Sequence, residues 1–387
     1  MSASARALAV LAVLALVAAP LSLGSPLASA TTGLYVYPVV GTPYNIDAPI
    51  HLVSFYGAPF SLGVGLAHGK VDGGLETPSA ICRSTPHCVA AINGDYFEVA
   101  SGKKADPGDP VGGLTSGCVL LHTPEVSHQQ ADLDNASVST GFSWNAALSV
   151  GTTSVAINAI NQQLPIPGVG LRGTLLYTSA YALPTPTAAG RSTYQFKEVG
   201  TAVSPTIINQ AVTLEYLGRT AGAIHVPAGR VAISTSNPTA FASLASGASV
   251  SLAVNSTMGC DDIGGHPIII NKGVPGVVSP SDTAEYDRDP RTIVGWTTLG
   301  ETVLITVGGR DGVSGATWNE MLSLLRALNV QTALSLDGGS STSMYADGRS
   351  LYSARASERP VSTALLVLDE PATSTTSTTT TTTTTLP

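Results

Sequence analysis

Short apolar runs recur along most of the chain at residues 34–39, 51–56, 89–92, 174–177, 212–216, 250–254, 268–270 and 302–307. Each is rich in β-branched residues and bounded by Gly, Pro, Asn or Ser, which predicts strands. Apolar and polar positions alternate only in part, so several of these strands are expected to be covered on both faces. One segment breaks the pattern. In TWNEMLSLLRALN the residues Trp318, Met321, Leu322, Leu325 and Leu328 recur at helical spacing. Thr317 and Glu320 have the spacing of a capping box, and Asn329 suits a left-handed stop. This helix lies between strands at 302–307 and 331–336, the order of a right-handed parallel crossover. The expected fold class is α+β: strand-rich mixed sheets with few helices and one β-α-β crossover near the C-terminus. Ligands gather beyond the carboxyl ends of crossover strands, here Gly308-Gly309-Arg310 and Asp337-Gly338-Gly339.

The two ends of the chain read differently. Residues 1–30 contain Arg6, the apolar run ALAVLAVLALVAAPLSL and the small-x-small triplet Ala28-Ser29-Ala30. That is the pattern of a secretory signal peptide, and the run up to Pro20 is short for a membrane span. An uncleaved anchor is the competing reading. Residues 371–387 are a Thr-rich tract expected to be disordered, either a stalk or an inert tail. One domain is expected between them, over 31–370, with no transmembrane span in the mature chain. Its location is extracellular or at the cell envelope.

Composition narrows the partners. Only 11% of residues are charged, the net charge is −8, and no Lys/Arg-rich block occurs. Nucleic acid is therefore not an expected partner. Export makes the four cysteines, Cys82, Cys88, Cys118 and Cys260, read as two disulfides. Cys82 and Cys88 flank a short loop suited to a local bridge, which leaves Cys118 for Cys260. Their spacings match no zinc pattern, and no metal ligands are assigned.

Four stretches carry candidate chemistry. In VAAINGDYFEV a strand runs into Asn93-Gly94-Asp95 with Tyr96 and Phe97 beside them. Asn-Gly alone signals a hairpin, but an amide, a carboxylate and aromatic rings together also suit sugar recognition. In EYDRDPRTIVGWT, Arg291 stands at a strand mouth, suited to phosphate or carboxylate. A surface salt bridge with Asp287 or Asp289 is the plainer reading. In VGGRDGVSG, Arg310 follows a strand. In LSLDGGSSTSM, Asp337 precedes two glycines and several hydroxyl side chains, including Ser341. Such a turn can offer backbone N–H groups to an anion, yet no P-loop Lys-Ser/Thr follows and Ser340 is not in a nucleophile elbow. His266 in GGHPIII stands before a strand, as a structural or a catalytic histidine. The remaining histidines, His128 among them, show no metal-ligand spacing.

Taken in order, AINGDYF, GGHPIIINKG, PRTIVGW and LSLDGGSSTSM followed by ERPVSTALLV resemble the landmarks of the phosphodiester glycosidase family. LLYTSAYA looks like a further family strand, and the resemblance runs from about Val89 to Leu368. Two places differ. Gly308 stands where members usually carry an Asp before Gly-Arg, and His266 where a further Gly is common. The resemblance implies hydrolysis of a sugar 1-phosphodiester at its glycosidic bond. It suggests Arg291 and Arg310 for phosphate, assisted by the Gly338 and Gly339 amides. Asp337 would face the anomeric carbon, and Asn93 and Asp95 would bind sugar hydroxyls, or Asp95 would activate water. Gly94, Ser341 and His266 complete the expected substrate contacts. No cofactor is expected, and a divalent cation is left open. The alternatives are an exo-glycosidase without phosphate specificity and a non-catalytic glycan-binding envelope protein.

Overall fold

The computed structural model describes residues 22–23, 33–40, 46, 48–99, 107–125, 128–166, 169–200, 204–220, 222–276, 288–309 and 314–370. Most of the expected signal peptide and the whole Thr-rich tail lie outside these residues. The described residues form four sheets, of eight, eight, five and five strands, with two α-helices: α1, Pro78–Ser84, and α2, Trp318–Ala327. The α+β, strand-rich reading holds.

The first eight-stranded sheet has at its centre Ile50–Tyr56, Glu301–Val307, Arg291–Thr297 and Val330–Ser335, hydrogen-bonded in that order. Alternate side chains along these strands enter two different cores. Leu52, Ile293, Ile305 and Ala333 meet Met321, Leu324 and Leu325 of α2 on one face. Val53, Val294, Leu304 and Leu334 go to the opposite face. Both faces are covered, which is why the sequence shows apolar runs with little alternation. On its inner face this sheet packs against a five-stranded sheet through Ile92, Met344, Leu365 and Val367. The outer face of that second sheet is closed by α1, where Ile81 meets Ala91 and Leu366. The result is a helix, sheet, sheet, helix stack.

The crossover is present, with a strand inserted. Glu301–Val307 and Val330–Ser335 each pair antiparallel to Arg291–Thr297, which lies between them, so the two strands joined through α2 are parallel. The helix begins with the expected box: Thr317 Oγ1 accepts from Glu320 N at 3.3 Å, and Glu320 Oε2 accepts from Thr317 N at 2.9 Å. Asn329, at φ 57°, provides the left-handed stop. The Asn-Gly of NGD does not form a hairpin. Gly94 N donates instead to Thr363 O, in the neighbouring strand of the stack.

The other eight-stranded sheet is built wholly from residues between Trp144 and Ser256, around Leu148, Phe196, Leu214 and Leu252. A small sheet that includes Leu114–Ser116, Asp262–Gly265 and Gln129–Asp132 lies between this lobe and the stack. Cys118–Cys260 and Cys82–Cys88 are disulfide-bonded. The longer link joins two segments 142 residues apart, flanking the lobe. No described helix is long and apolar enough to cross a membrane.

Within the small sheet Asp262 is fully buried opposite Asp132. Burial raises its carboxyl well above the usual range, offset only in part by Thr115, while Asp132, Asp261 and Asp134 push it further. A raised folded pKa contributes stability below the unfolded value that is lost as pH climbs toward the folded value. Asp262→Asn is therefore expected to stabilise the protein at pH 7, by about 1–2 kcal/mol. The gain should shrink toward zero at pH 4, as thermal unfolding at the two pH values would show.

Candidate functional site

Several strand ends converge at one edge of the stack. Cys88–Asn93 of the second sheet ends at Asn93, Val330–Ser335 of the first leads to Asp337, and Asp262–Gly265 of the small sheet leads to His266. The start of Gln129–Asp132 places His128 there, and the approach to Thr363–Asp369 places Arg359. The sheets are tied across this edge by Asn93. Its Nδ2 donates to Asp337 O at 2.6 Å and to Gly94 O at 3.4 Å. Its Oδ1 accepts from Thr292 Oγ1 at 2.8 Å and Ser343 N at 3.2 Å. Asn93 is buried and its hydrogen-bonding capacity is filled. It holds the site from beneath and has nothing left for a sugar hydroxyl.

Asp95 lies two residues on, 2% exposed. Its Oδ1 accepts from Tyr96 N at 2.7 Å and is paired with His128 Nε2 at 2.9 Å; its Oδ2 accepts from Gly112 N at 2.8 Å. Two glycines make room for this carboxylate. A Cβ on Gly112 would lie 2.3 Å from Asp95 Oδ2, and one on Gly264 would lie 2.1 Å from it. Gly264, in the GGHPIII stretch, thus helps seat a carboxylate from a different segment. Tyr96 donates its hydroxyl to His266 O at 3.0 Å, and its ring meets the His128 ring edge-on at 5.9 Å. The rings of His128 and His266 are 6.5 Å apart.

Asp337 follows the buried Leu336, and its backbone N donates to Gly94 O at 3.0 Å. Burial pushes its carboxyl up to about 6, against the Ser341 hydroxyl, the Arg359 charge and the Gly338 amide, which lower it; the Asp95 charge adds to the rise. Arg359 Nη1 donates to Ser341 Oγ at 2.7 Å and Ser340 Oγ at 3.2 Å, and its guanidinium lies 5.1 Å from the centre of the Phe97 ring. Ser341 therefore stands between the cation and the carboxylate.

Other expected contacts lie elsewhere or are already engaged. Arg291 is 6% exposed, donates from Nε to Ala316 O at 3.0 Å and stacks 4.0 Å from the Trp318 ring. The next residue, Thr292, faces Asn93, so alternation turns Arg291 to the α2 face. Nearby, Arg288 pairs with Glu320. Gly339 N donates to Pro290 O at 2.9 Å, and Gly338 N serves the Asp337 carboxyl, so neither amide is open to an anion. Gly94 N is taken by Thr363 O. Arg310 lies outside the described residues. Gly308, beside Pro49 and Tyr352, would have no space for a Cβ without movement of those rings. No group of three or more His, Cys, Asp or Glu among the described residues is arranged to hold a metal ion.

Two residues were missed from the sequence. Arg359 was within view, in the ERPVSTALLV segment, where the strand that follows supplies Thr363 to Gly94 and Asp95. His128, in SHQQAD, carries no local signal.

Residues 190–368 match the family described as phosphodiester glycosidase. The resemblance drawn from the motifs is borne out over that span, which holds His266, Asp337, Ser341 and Arg359. No curated protein matches the chain. Among solved structures, a hypothetical protein from Synechocystis superposes with a TM-score of 0.65 at 22% identity, over 90% of this chain. The chain spans 64% of that protein's length. A Burkholderia pseudomallei K96243 protein described as "Putative exported protein" gives a TM-score of 0.59 at 19% identity, over 87% of this chain and 75% of its own. At these identities the likeness is one of fold. The zebrafish N-acetylglucosamine-1-phosphodiester alpha-N-acetylglucosaminidase catalytic domain gives a TM-score of 0.41 at 13% identity, over 90% of this chain and 87% of its own.

The glycine seat of Asp95 has a direct test. Gly264→Ala should destabilise the fold by about 3 kcal/mol, because the carboxylate it strikes is held by three donors. Gly222→Ala, with nothing within 4 Å, is expected to fall within about 0.5 kcal/mol of wild type. Urea unfolding of both variants measures the difference.

Proposed function

We propose that the protein is an exported glycosidase that cleaves the C1–O bond of a sugar 1-phosphodiester or a related cell-envelope glycan. The products are a free sugar and a phosphomonoester. The observation that carries this reading is the arrangement of Asp337, Ser341 and Arg359 in a chain matched to the phosphodiester glycosidase family. A phosphomonoester has a second pKa of about 6, so it leaves readily and needs little protonation. What such a reaction asks of a protein is a cation for the phosphate and a carboxylate for the positive sugar ring. Arg359 meets the first need: beyond Nη1, its guanidinium makes no hydrogen bond to the described residues, which leaves Nε and Nη2 to grip phosphate oxygens as a fork. Asp337 meets the second once ionised, either as nucleophile or as charge stabiliser. The Phe97 ring supplies apolar surface beside Arg359. Export is supported by the leader-like segment and by two disulfides, which persist in oxidising compartments.

A second reading, an exo-glycosidase without phosphate specificity, is favoured by one observation. Arg291, the other described cation at this strand end, is buried against Trp318 and faces away. A panel of 4-nitrophenyl diesters of hexose 1-phosphates, run beside the matching 4-nitrophenyl glycosides, separates the two. Release from the diesters alone is expected; release from the glycosides alone supports the second reading, and release from neither leaves a glycan-binding role.

Asp337→Asn should lower turnover of the active diester by about a thousandfold or more with the fold intact. Activity should be lost as pH drops through about 6, where Asp337 takes up its proton. Arg359→Gln should raise KM for the diester by about 10- to 100-fold, the worth of a charged hydrogen bond. Since the Arg359 charge lowers the Asp337 pKa, the same variant should move the Asp337 midpoint to higher pH. Infrared titration of the carboxyl would follow it.

A further inference from the structure

Asp95 is held too completely to act on a substrate itself. Three donors occupy its two oxygens, and glycines close around it. What it does instead is fix an imidazole. His128 Nε2 is bonded to Asp95, whereas Nδ1 makes no hydrogen bond to any described residue and the side chain keeps 11% exposure. A carboxylate on one ring nitrogen, with no hydrogen bond to a described residue at the other, is the arrangement of a proton-transfer histidine.

Behind Asp95 the arrangement continues. Gly112, whose N–H donates to Asp95, has its carbonyl 3.0 Å from His122 Nδ1, and His122 Nε2 lies 3.1 Å from Asp109 Oδ1. The side chains of His122 and Asp109 are both 0% exposed. A pair buried to this degree does not itself touch substrate; its hydrogen bond to the Gly112 carbonyl suits it to anchor the peptide that aims Gly112 at Asp95.

We propose that His128 is the group that takes the proton from the attacking water, with Asp95 orienting its ring and the Asp109–His122 pair positioning Gly112. The inference rests on the glycosidase reading above. In the step, the water oxygen bonds to C1, or to the C1 that an Asp337 carboxylate oxygen holds in a glycosyl ester if that carboxylate attacks first. The C1–O bond to the leaving oxygen breaks, and its electron pair departs with the phosphomonoester or with the Asp337 carboxylate. The water proton passes to His128 Nδ1, giving an imidazolium whose Nε2–H remains on Asp95, and is then released to solvent. The neutral ring must therefore carry its hydrogen on Nε2.

The groups facing His128 are the Asp95 carboxylate, the Tyr96 ring and the His266 ring, with Asp337 beyond Asp95. Burial alone lowers the His128 pKa, but the Asp95 charge and hydrogen bond outweigh it, and the net shift is upward. The pH profile should accordingly fall in two stages on acidification, first as His128 protonates and more steeply near pH 6 as Asp337 follows.

The test pairs kinetics with a titration that needs no substrate. Nitrogen-resolved NMR of the histidine rings would place the neutral His128 hydrogen on Nε2, and Asp95→Asn should move the His128 midpoint to lower pH. On the diester that wild type hydrolyses, His128→Gln should lower kcat by about 10²–10⁴-fold with KM within about threefold, its melting point matching wild type. His122→Gln should lower kcat and move the His128 midpoint, which a purely structural role would not do. Wild-type turnover with kcat of His128→Gln within roughly threefold overturns the inference while leaving the glycosidase reading in place. A His128 midpoint unmoved in Asp95→Asn overturns the pair independently of any substrate. No turnover of any diester by wild type overturns the parent reading, and the catalytic role of His128 with it.

Discussion

A single buried carboxamide holds the two central sheets in register at their functional edge. Asn93 reaches Thr292 and Asp337 of one sheet, and Gly94 and Ser343 of the other, with all its hydrogen-bonding capacity used. An amide suits this place because it offers two donors and two acceptors on one rigid plane. A carboxylate would lack the donors, and an apolar residue would take this partner from Asp337 O, Thr292 Oγ1 and Ser343 N, at about 1–3 kcal/mol for each buried group left unpaired. The position of Asp337 follows from the clamp: its carbonyl is gripped by Asn93 and its amide by Gly94. The backbone is pinned on both sides, so only the side chain is left to meet Ser341 and the influence of Arg359.

Around that clamp the chain has been cleared of bulk and of competing charge. Gly112 and Gly264 face each other across Asp95, with Cα atoms close enough that neither tolerates a side chain. Charged residues are scarce over the whole chain, yet Asp95, His128, Asp337 and Arg359 gather at one edge. The Asp95 charge raises His128, and the Arg359 and Asp95 charges act on Asp337 in opposite directions. The same burial that raises Asp337 would raise any carboxylate placed there. What distinguishes it is the opposing pull of Ser341, Arg359 and Gly338. In a mostly uncharged protein, a local cluster of this kind is the feature that most needs a chemical explanation.

The layers explain how so strand-rich a chain reaches this arrangement. The helix crossing between Glu301–Val307 and Val330–Ser335 covers one face of the first sheet and sends the second strand outward toward Asp337. The lobe between Trp144 and Ser256 is closed off by its own core. The small sheet leading out of it brings Gly264 and His266 back to the same edge, and Cys118–Cys260 links its two approaches.

Sequence alone determined the local structure. Strand positions, the capped helix with its Asn329 stop, the crossover order and the placing of Asp337 past a strand end all follow from periodicity and capping chemistry, which act over a few residues. The motifs also carried the family likeness. Only tertiary structure decided which of those residues share a site. Arg291 and Asn93 had the right chemistry at the right strand ends, but pleat and packing turned Arg291 toward Trp318 and filled the bonds of Asn93. His128 and Arg359 come to the site from segments distant in the chain, through strand pairings that leave no periodic trace near either residue. Side-chain direction and hydrogen-bond satisfaction are set by non-local partners, and a carboxylate seated between two glycines 152 residues apart is legible only once the sheets have met.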